Sequence, residues 1–202
     1  MARTVHKNSE TIHVDCGSTK SEQINLIKKL FEKYGRVWIS KPNKKGKIQI
    51  EAFLDRSFDF LLDTKAEIRS WIFNSNDYFA PFLAGFTDAE GSFGIYKGMA
   101  IYQLGNYNRA LLFLIHRKLI KIGISCPKPY EDKTKGYVTK HGYIHNQNYW
   151  HLCVHKKSSL LRLFELIEPY LKHEKKIADM KKAKENVEMR NKMFGDRIRV
   201  IT

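Results

Sequence analysis

Cysteine is scarce: three in 202 residues, at Cys16, Cys126 and Cys153. The number is odd and no CxxC spacing occurs, which argues against a disulfide framework and fits a reducing compartment. Long apolar runs are also missing. Nothing approaches the roughly 18 residues that mark a membrane-spanning helix, and no signal-peptide pattern opens the chain. The expectation is a cytoplasmic, organellar or nucleoid protein, neither secreted nor membrane-bound. Acidic residues are few, 21 against 36 Lys and Arg, for a formal charge of +15 and a pI near 9.7. So basic a surface points to a polyanion, most simply nucleic acid. The 43% hydrophobic fraction is that of a globular chain with a real core.

The most informative stretch is Phe82-Leu83-Ala84-Gly85-Phe86-Thr87-Asp88-Ala89-Glu90-Gly91-Ser92-Phe93. It reads as a helix ending at a carboxylate and turning into a strand. Ala80, Ala84 and Asp88 recur at i, i+4 and i+8 with Gly85 beside them, a small-residue stripe that would let a second backbone approach closely. Phe79, Phe82, Leu83 and Phe86 form a second stripe suited to a core. Gly91 fits a helix end with positive φ.

Around this motif the elements follow in order. Residues 1 to 11 are polar and expected to fray. Thr11 to Cys16 alternates like a strand. A helix capped at Ser18, Thr19 or Ser21 runs to Gly35, and a hairpin, Val37 to Ser40 and Lys47 to Leu54, turns at a basic loop. Asp55 or Ser57 caps another helix. Asn74 to Asp77 starts the motif helix, with Pro81 early in it. Strands Ser92 to Tyr96 and Ala100 to Leu104 follow, then a helix capped by Asn108 and stopped by Gly123. Cys126 to Tyr130 and Tyr149 to His155 read as strands joined by a long basic loop. A helix capped at Ser158 or Ser159 and a lysine-rich helix from about His173 to Met193 close the chain.

The order strand, helix, Gly, hairpin, helix occurs twice. Gly35 and Gly123 stand 88 apart (123 − 35), and that offset lays Asp15 on Gln103 and Ser18 on Asn106. Residues 1–75 are thus a first repeat without a motif helix, and residues 76–202 a complete repeat with a basic C-terminal helix.

LAGFTDAEG resembles the motif of the LAGLIDADG homing endonuclease family. The resemblance implies an α+β fold of αββαββα repeats with saddle-shaped antiparallel sheets, here with the first repeat truncated. It implies site-specific, Mg²⁺-dependent (or other divalent-cation) hydrolysis of double-stranded DNA. In the family, two motif helices pack by their small faces, and the last acidic residue of each binds a metal. Glu90 matches that position, with the carbonyl of Ala89 as a second metal ligand. Asn106 matches an amide that orders water, although glutamine is the more familiar residue there. Lys172 and Lys176 are candidates for a catalytic lysine. The partner helix face would comprise Ala80, Ala84, Gly85 and Asp88, with Asp88 as readily a packing or capping residue. One motif supplies one acidic cluster, so the second would come from a homodimer or from a small chain carrying the missing helix.

Strand alternation selects the DNA-reading residues. Tyr149 and His151 share one face of their strand while Trp150, Leu152 and Val154 take the other. Arg36, Trp38, Lys45, Lys47 and Gln49 play the same part in the first repeat, and Ser92, Tyr96 and Gln103 around the motif. Turn lysines would grip phosphates and strand residues read base edges. His151, Cys153 and His155 project alike but stand too far apart along the strand for a zinc cluster. The rival readings are an RNA maturase, a non-cleaving DNA-binding protein on the same fold, and an inert relic.

Overall fold

The computed structural model describes residues 2–6, 9–62, 70–139, 142 and 144–195. The chain divides into two compact units, Met1–Glu67 and Ile68–Thr202.

In the first unit, Ile12 and Val14 alternate with His13 and Asp15, and Ile50, Ala52 and Leu54 with Glu51 and Phe53. Each strand therefore buries one face. Strands β1 (Ala2–His6), β2 (Ser9–Ser18), β3 (Gly35–Ile39) and β4 (Ile48–Leu54) form an antiparallel sheet in the order β1-β2-β4-β3. Helix α1 (Ser21–Phe31) follows β2. Ile12, Val14, Ala52 and Leu54 form the core, against Phe31, Val37, Phe58 and Leu62.

Two expectations fail here. Residues 2–6 are not frayed: they pair with β2 from Ala2↔His13 to His6↔Ser9, and Arg3 ion-pairs with Asp59 at 3.1 Å. Backbone pairing overrides a polar sequence because a β-ladder asks little of its side chains. Met1, Lys7 and Asn8, also expected to fray, lie outside the described residues. Asp55 caps the next element as expected, its carboxylate accepting from Ser57 N, but that element, Arg56–Leu61, is a 3-10 helix and not an α-helix.

The second unit repeats the plan with the motif helix in front. Helix α2 (Asn76–Glu90) is capped by Ser75, whose Oγ accepts from Asp77 N at 3.0 Å. Pro81 falls in its second turn, later than expected, so the helix forgoes one internal hydrogen bond. Strands β5 (Gly91–Tyr96) and β6 (Met99–Asn106) follow, then α3 (Arg109–Lys121), capped by Asn108. Strands β7 (Tyr130–Asp132) and β8 (Tyr149–Val154), helix α4 (Lys157–Ile167) and helix α5 (Glu174–Phe194) complete it. The sheet order is β5-β6-β8-β7, the same as in the first unit. Strand β7 starts later than Cys126 because Pro127 and Pro129 lack ladder donors. Ser158 and Ser159 do not cap α4; Ser159 Oγ accepts from Ser125 N instead.

A larger core fills this unit. Phe79, Leu83, Tyr102, Leu104, Leu112, Ile115, Leu152, Phe164 and Met180 are all fully enclosed. Each such apolar side chain contributes about 1.5–3 kcal/mol of transfer free energy. Helix α5 is tied to the β5–β6 turn by Asn186, which accepts from Ala100 N and donates to the Gly98 carbonyl.

Candidate active site and nucleic-acid face

The core dictates how α2 is rotated. Phe79, Ala80, Leu83, Ala84, Thr87 and Asp88 face inward. Ala80, Ala84 and Asp88 are 4%, 0% and 9% exposed, so the expectation that they line a partner face does not hold. Ala84 belongs to the core of this unit. The open face carries Tyr78, Gly85, Ala89 and Glu90, flanked by half-buried Pro81 and Phe82. A Cβ on Gly85 would meet nothing within 4 Å.

Asp88 has a structural task. Its carboxylate accepts from the backbone N–H of Lys172 at 2.8 Å and of His173 at 3.2 Å, at the entry to α5. Thr87 Oγ1 bonds the Leu83 carbonyl and the Tyr102 hydroxyl, each at 2.7 Å. Burial raises the Tyr102 phenol well above its ordinary value, so it stays protonated.

Gly91 ends the helix for a reason other than the expected positive φ. Its φ is −86°, which any residue can adopt. A Cβ there would stand 2.8 Å from Thr87 Cα and 2.9 Å from its carbonyl oxygen. Only glycine lets β5 leave the helix this tightly, and the turn puts Glu90 at the exposed mouth.

Several candidates converge on that mouth. Gly91 pairs with Leu104, so Glu90 stands abreast of Gly105, one residue before Asn106. The Asn106 Oδ1 accepts from Asn108 N at 2.8 Å, which fixes the amide at the strand end. The Lys176 ammonium donates to the Gly91 carbonyl, beside Glu90. Lys172 contributes its backbone N–H to Asp88, and its side chain is exposed.

The donor set at this point is all oxygen. It comprises the Glu90 carboxylate and the last carbonyls of α2, Ala89 included, which lack intrahelical partners. The negative end of the helix dipole adds to the carboxylate charge. Among the described residues no three His, Cys, Asp or Glu side chains cluster as a metal cage. One carboxylate with a carbonyl suits a hard cation that keeps several waters and takes phosphate oxygens. Burial pushes the Cys126 thiol up to about 11 and raises Cys153 as well, so neither is a thiolate nucleophile at neutral pH.

The outer face of the second sheet carries most of the expected reading residues. Ser92 pairs with Gln103, and Gln103 with Cys153. Gln103 Nε2 lies 2.7 Å from His151 Nδ1, and Tyr96 is 64% exposed. Leu152 and Val154 point into the core as alternation requires, while Trp150 packs on Phe113 and beneath the Arg109 guanidinium. In the first unit Arg36, Trp38 and Gln49 lie on the outer face, with Gln49 donating to Asp15. Lys45 and Lys47 border the turn that Asn43 organises by accepting from both their N–H groups at 2.9 and 3.0 Å.

One set of residues around Glu90 escaped sequence reasoning. Tyr107 packs edge-on against Tyr149 at 4.9 Å, and its hydroxyl lies 2.9 Å from His145 Nδ1. The only sequence signal was the tyrosine spacing, because 16 residues between β7 and β8 hide which strand positions meet.

No protein-family model matches this chain, and no curated protein does. Solved structures do. I-DmoI in complex with DNA and Mn superposes with a TM-score of 0.51 at 16% identity, covering 82% of this chain and 86% of that one. I-DmoI in complex with DNA and Ca gives 0.52 at 13% identity, over 90% and 89%. Mesophilic variants of the homing endonuclease I-DmoI give 0.53 at 16% identity, over 82% and 81%. The repeated sheet order, the motif helix leading into β5 and these superpositions agree: the chain has the fold of the LAGLIDADG homing endonucleases.

Proposed function

We propose that the protein is a site-specific DNA endonuclease that uses one divalent cation, Mg²⁺ or a close substitute, to hydrolyse a phosphodiester bond. The observation that carries this reading is Glu90, exposed at the end of α2 and abreast of Gly105, where a hard cation can be shared with a phosphate. The bound cation would activate water and offset charge on the pentavalent phosphorus. Glu90 and the Ala89 carbonyl would hold it, with Asn106 at the end of β6 and Lys176 on the Gly91 carbonyl as the neighbouring polar groups. The test is nicking of a plasmid library with and without Mg²⁺. Cation-dependent nicks support the reading, and intact plasmid despite tight binding favours a non-cleaving binder.

The outer sheet faces and turn lysines are the DNA-binding surface of this reading. DNA affinity should therefore fall steeply with salt, with a log–log slope near −0.9 per phosphate neutralised. A fluorescence-anisotropy titration with a flat salt response would contradict phosphate gripping.

The second acidic cluster comes from a partner, a second copy or a small chain carrying a motif helix, seated on the Tyr78, Phe82, Gly85 and Ala89 face. Gly85→Lys tests this. The substitution meets open space and raises helix propensity by roughly 0.5–1 kcal/mol. The isolated chain should keep its stability while the associated species disappears from sedimentation profiles. Unchanged association would remove this face from the interface.

A further inference from the structure

The two repeats share a local detail, each within its own sheet. Gly17 pairs with Gln49 in the first sheet, and Gly105 with His151 in the second. The residues two positions ahead of those partners are Lys47 and Tyr149. Each lays its side chain over the equivalent glycine. A Cβ on Gly17 would stand 3.0 Å from Lys47 Nζ, and one on Gly105 would stand 2.7 Å from the Tyr149 hydroxyl. Chemically unlike side chains thus bring a hydrogen-bond donor over a bare glycine floor at the same place. What an ammonium and a phenol have in common is that both donate to an anionic oxygen.

In the second repeat that donor adjoins the candidate catalytic carboxylate. Gly91, the residue after Glu90, pairs with Leu104, the residue before Gly105, and Tyr149 covers Gly105 from the β8 side, close enough to feel the Glu90 charge. The ring is held on two further sides, by Tyr107 at 4.9 Å and His151 at 5.0 Å, both edge-on. Burial first, then the Glu90 carboxylate, then Tyr107, raise the Tyr149 phenol above its usual value. A phenol is protonated at neutral pH without any such shift, so the hydroxyl is a donor.

We propose that the Tyr149 hydroxyl donates a hydrogen bond to a non-bridging oxygen of the scissile phosphate held beside Glu90. This rests on the nuclease reading above and moves Tyr149 from base reading to the chemistry. The phenol loses no proton and forms no bond to phosphorus. It opposes charge that grows on the phosphoryl oxygens as water adds, and its fixed position means little reorganisation is needed.

The test is single-turnover nicking, with Mg²⁺, of a duplex enriched from a randomised pool by binding to the full chain. Tyr149→Phe keeps the ring and its packing. Its nicking rate should fall by roughly 10²-fold, with DNA affinity and Mg²⁺ half-saturation within about twofold of wild type. Tyr149→Lys copies the first repeat and should regain roughly tenfold of that loss. A passive packing role would predict no such rescue. The proposal is overturned by a Tyr149→Phe rate within about threefold of wild type, by a loss that tracks lost affinity, or by Tyr149→Lys as slow as Tyr149→Phe. Wild-type chain that binds the duplex and never nicks it overturns the nuclease reading, and this proposal with it. Nicking that Glu90→Gln abolishes and Tyr149→Phe leaves intact overturns this proposal alone.

Discussion

Glu90→Gln should abolish cation-dependent nicking while leaving DNA affinity within about twofold of wild type. Glutamine keeps the shape of the side chain and removes the charge that would hold the cation. Losing several kcal/mol of transition-state stabilisation corresponds to a fall on the order of 10³-fold or more. Folding should be indifferent, because Glu90 is exposed and ends its helix. The measurement is the nicked fraction against time at saturating protein, with binding followed separately. A glutamine variant that nicks at the wild-type rate would take the cation away from Glu90.

Asp88→Ala, two residues earlier, should do the opposite: unsettle the fold first and the chemistry through it. Its carboxylate satisfies two backbone N–H groups, of Lys172 and His173, and is 9% exposed. Alanine leaves both donors without a partner in a place water reaches poorly. Hydrogen bonds to a charged acceptor contribute about 1.5–3 kcal/mol each. Allowing for their shared acceptor, a loss of about 2–4 kcal/mol and a melting shift of roughly 5–15 °C are expected. Lys176 sits in the first turn of the helix that this contact seats, and it donates to the Gly91 carbonyl, so nicking should weaken as well. Urea unfolding followed by circular dichroism decides the matter. Unchanged stability would mean that water replaces the carboxylate and that α5 seats itself by its apolar face alone.

Asp88 and Glu90 are both acidic, lie two residues apart in one helix, and have unlike roles. A helix turns about 100° per residue, so two positions separate a core-facing side chain from an open one. Sequence periodicity places residues on stripes but does not say which stripe meets the core. Of the two stripes of α2, the Phe and Leu one suits a core and the small-residue one a closely packed partner. The structure buries Ala80, Ala84 and Asp88 and leaves Gly85 and Ala89 open. The common strand order of the two sheets was legible because apolar strand and helix positions follow a local period. Residues 2–6 were misjudged because their order comes from pairing with β2, a non-local contact that their own composition does not record.

The sequence by itself determined the motif ending at Glu90, the basic character, the two repeats with their 88-residue offset, and the alternation that sends Leu152 and Val154 inward. All of these are local or periodic, and local chemistry is written in neighbouring residues. Tertiary structure alone decided that Asp88 seats α5, that Lys176 reaches the Gly91 carbonyl, and that Tyr149 lies over Gly105 beside Glu90. The first two join residues about 85 apart in the chain, and the Tyr149–Gly105 contact spans α3, β7 and the long connection to β8. Their meeting depends on sheet register and helix packing, which are properties of the whole core and not of any one stretch.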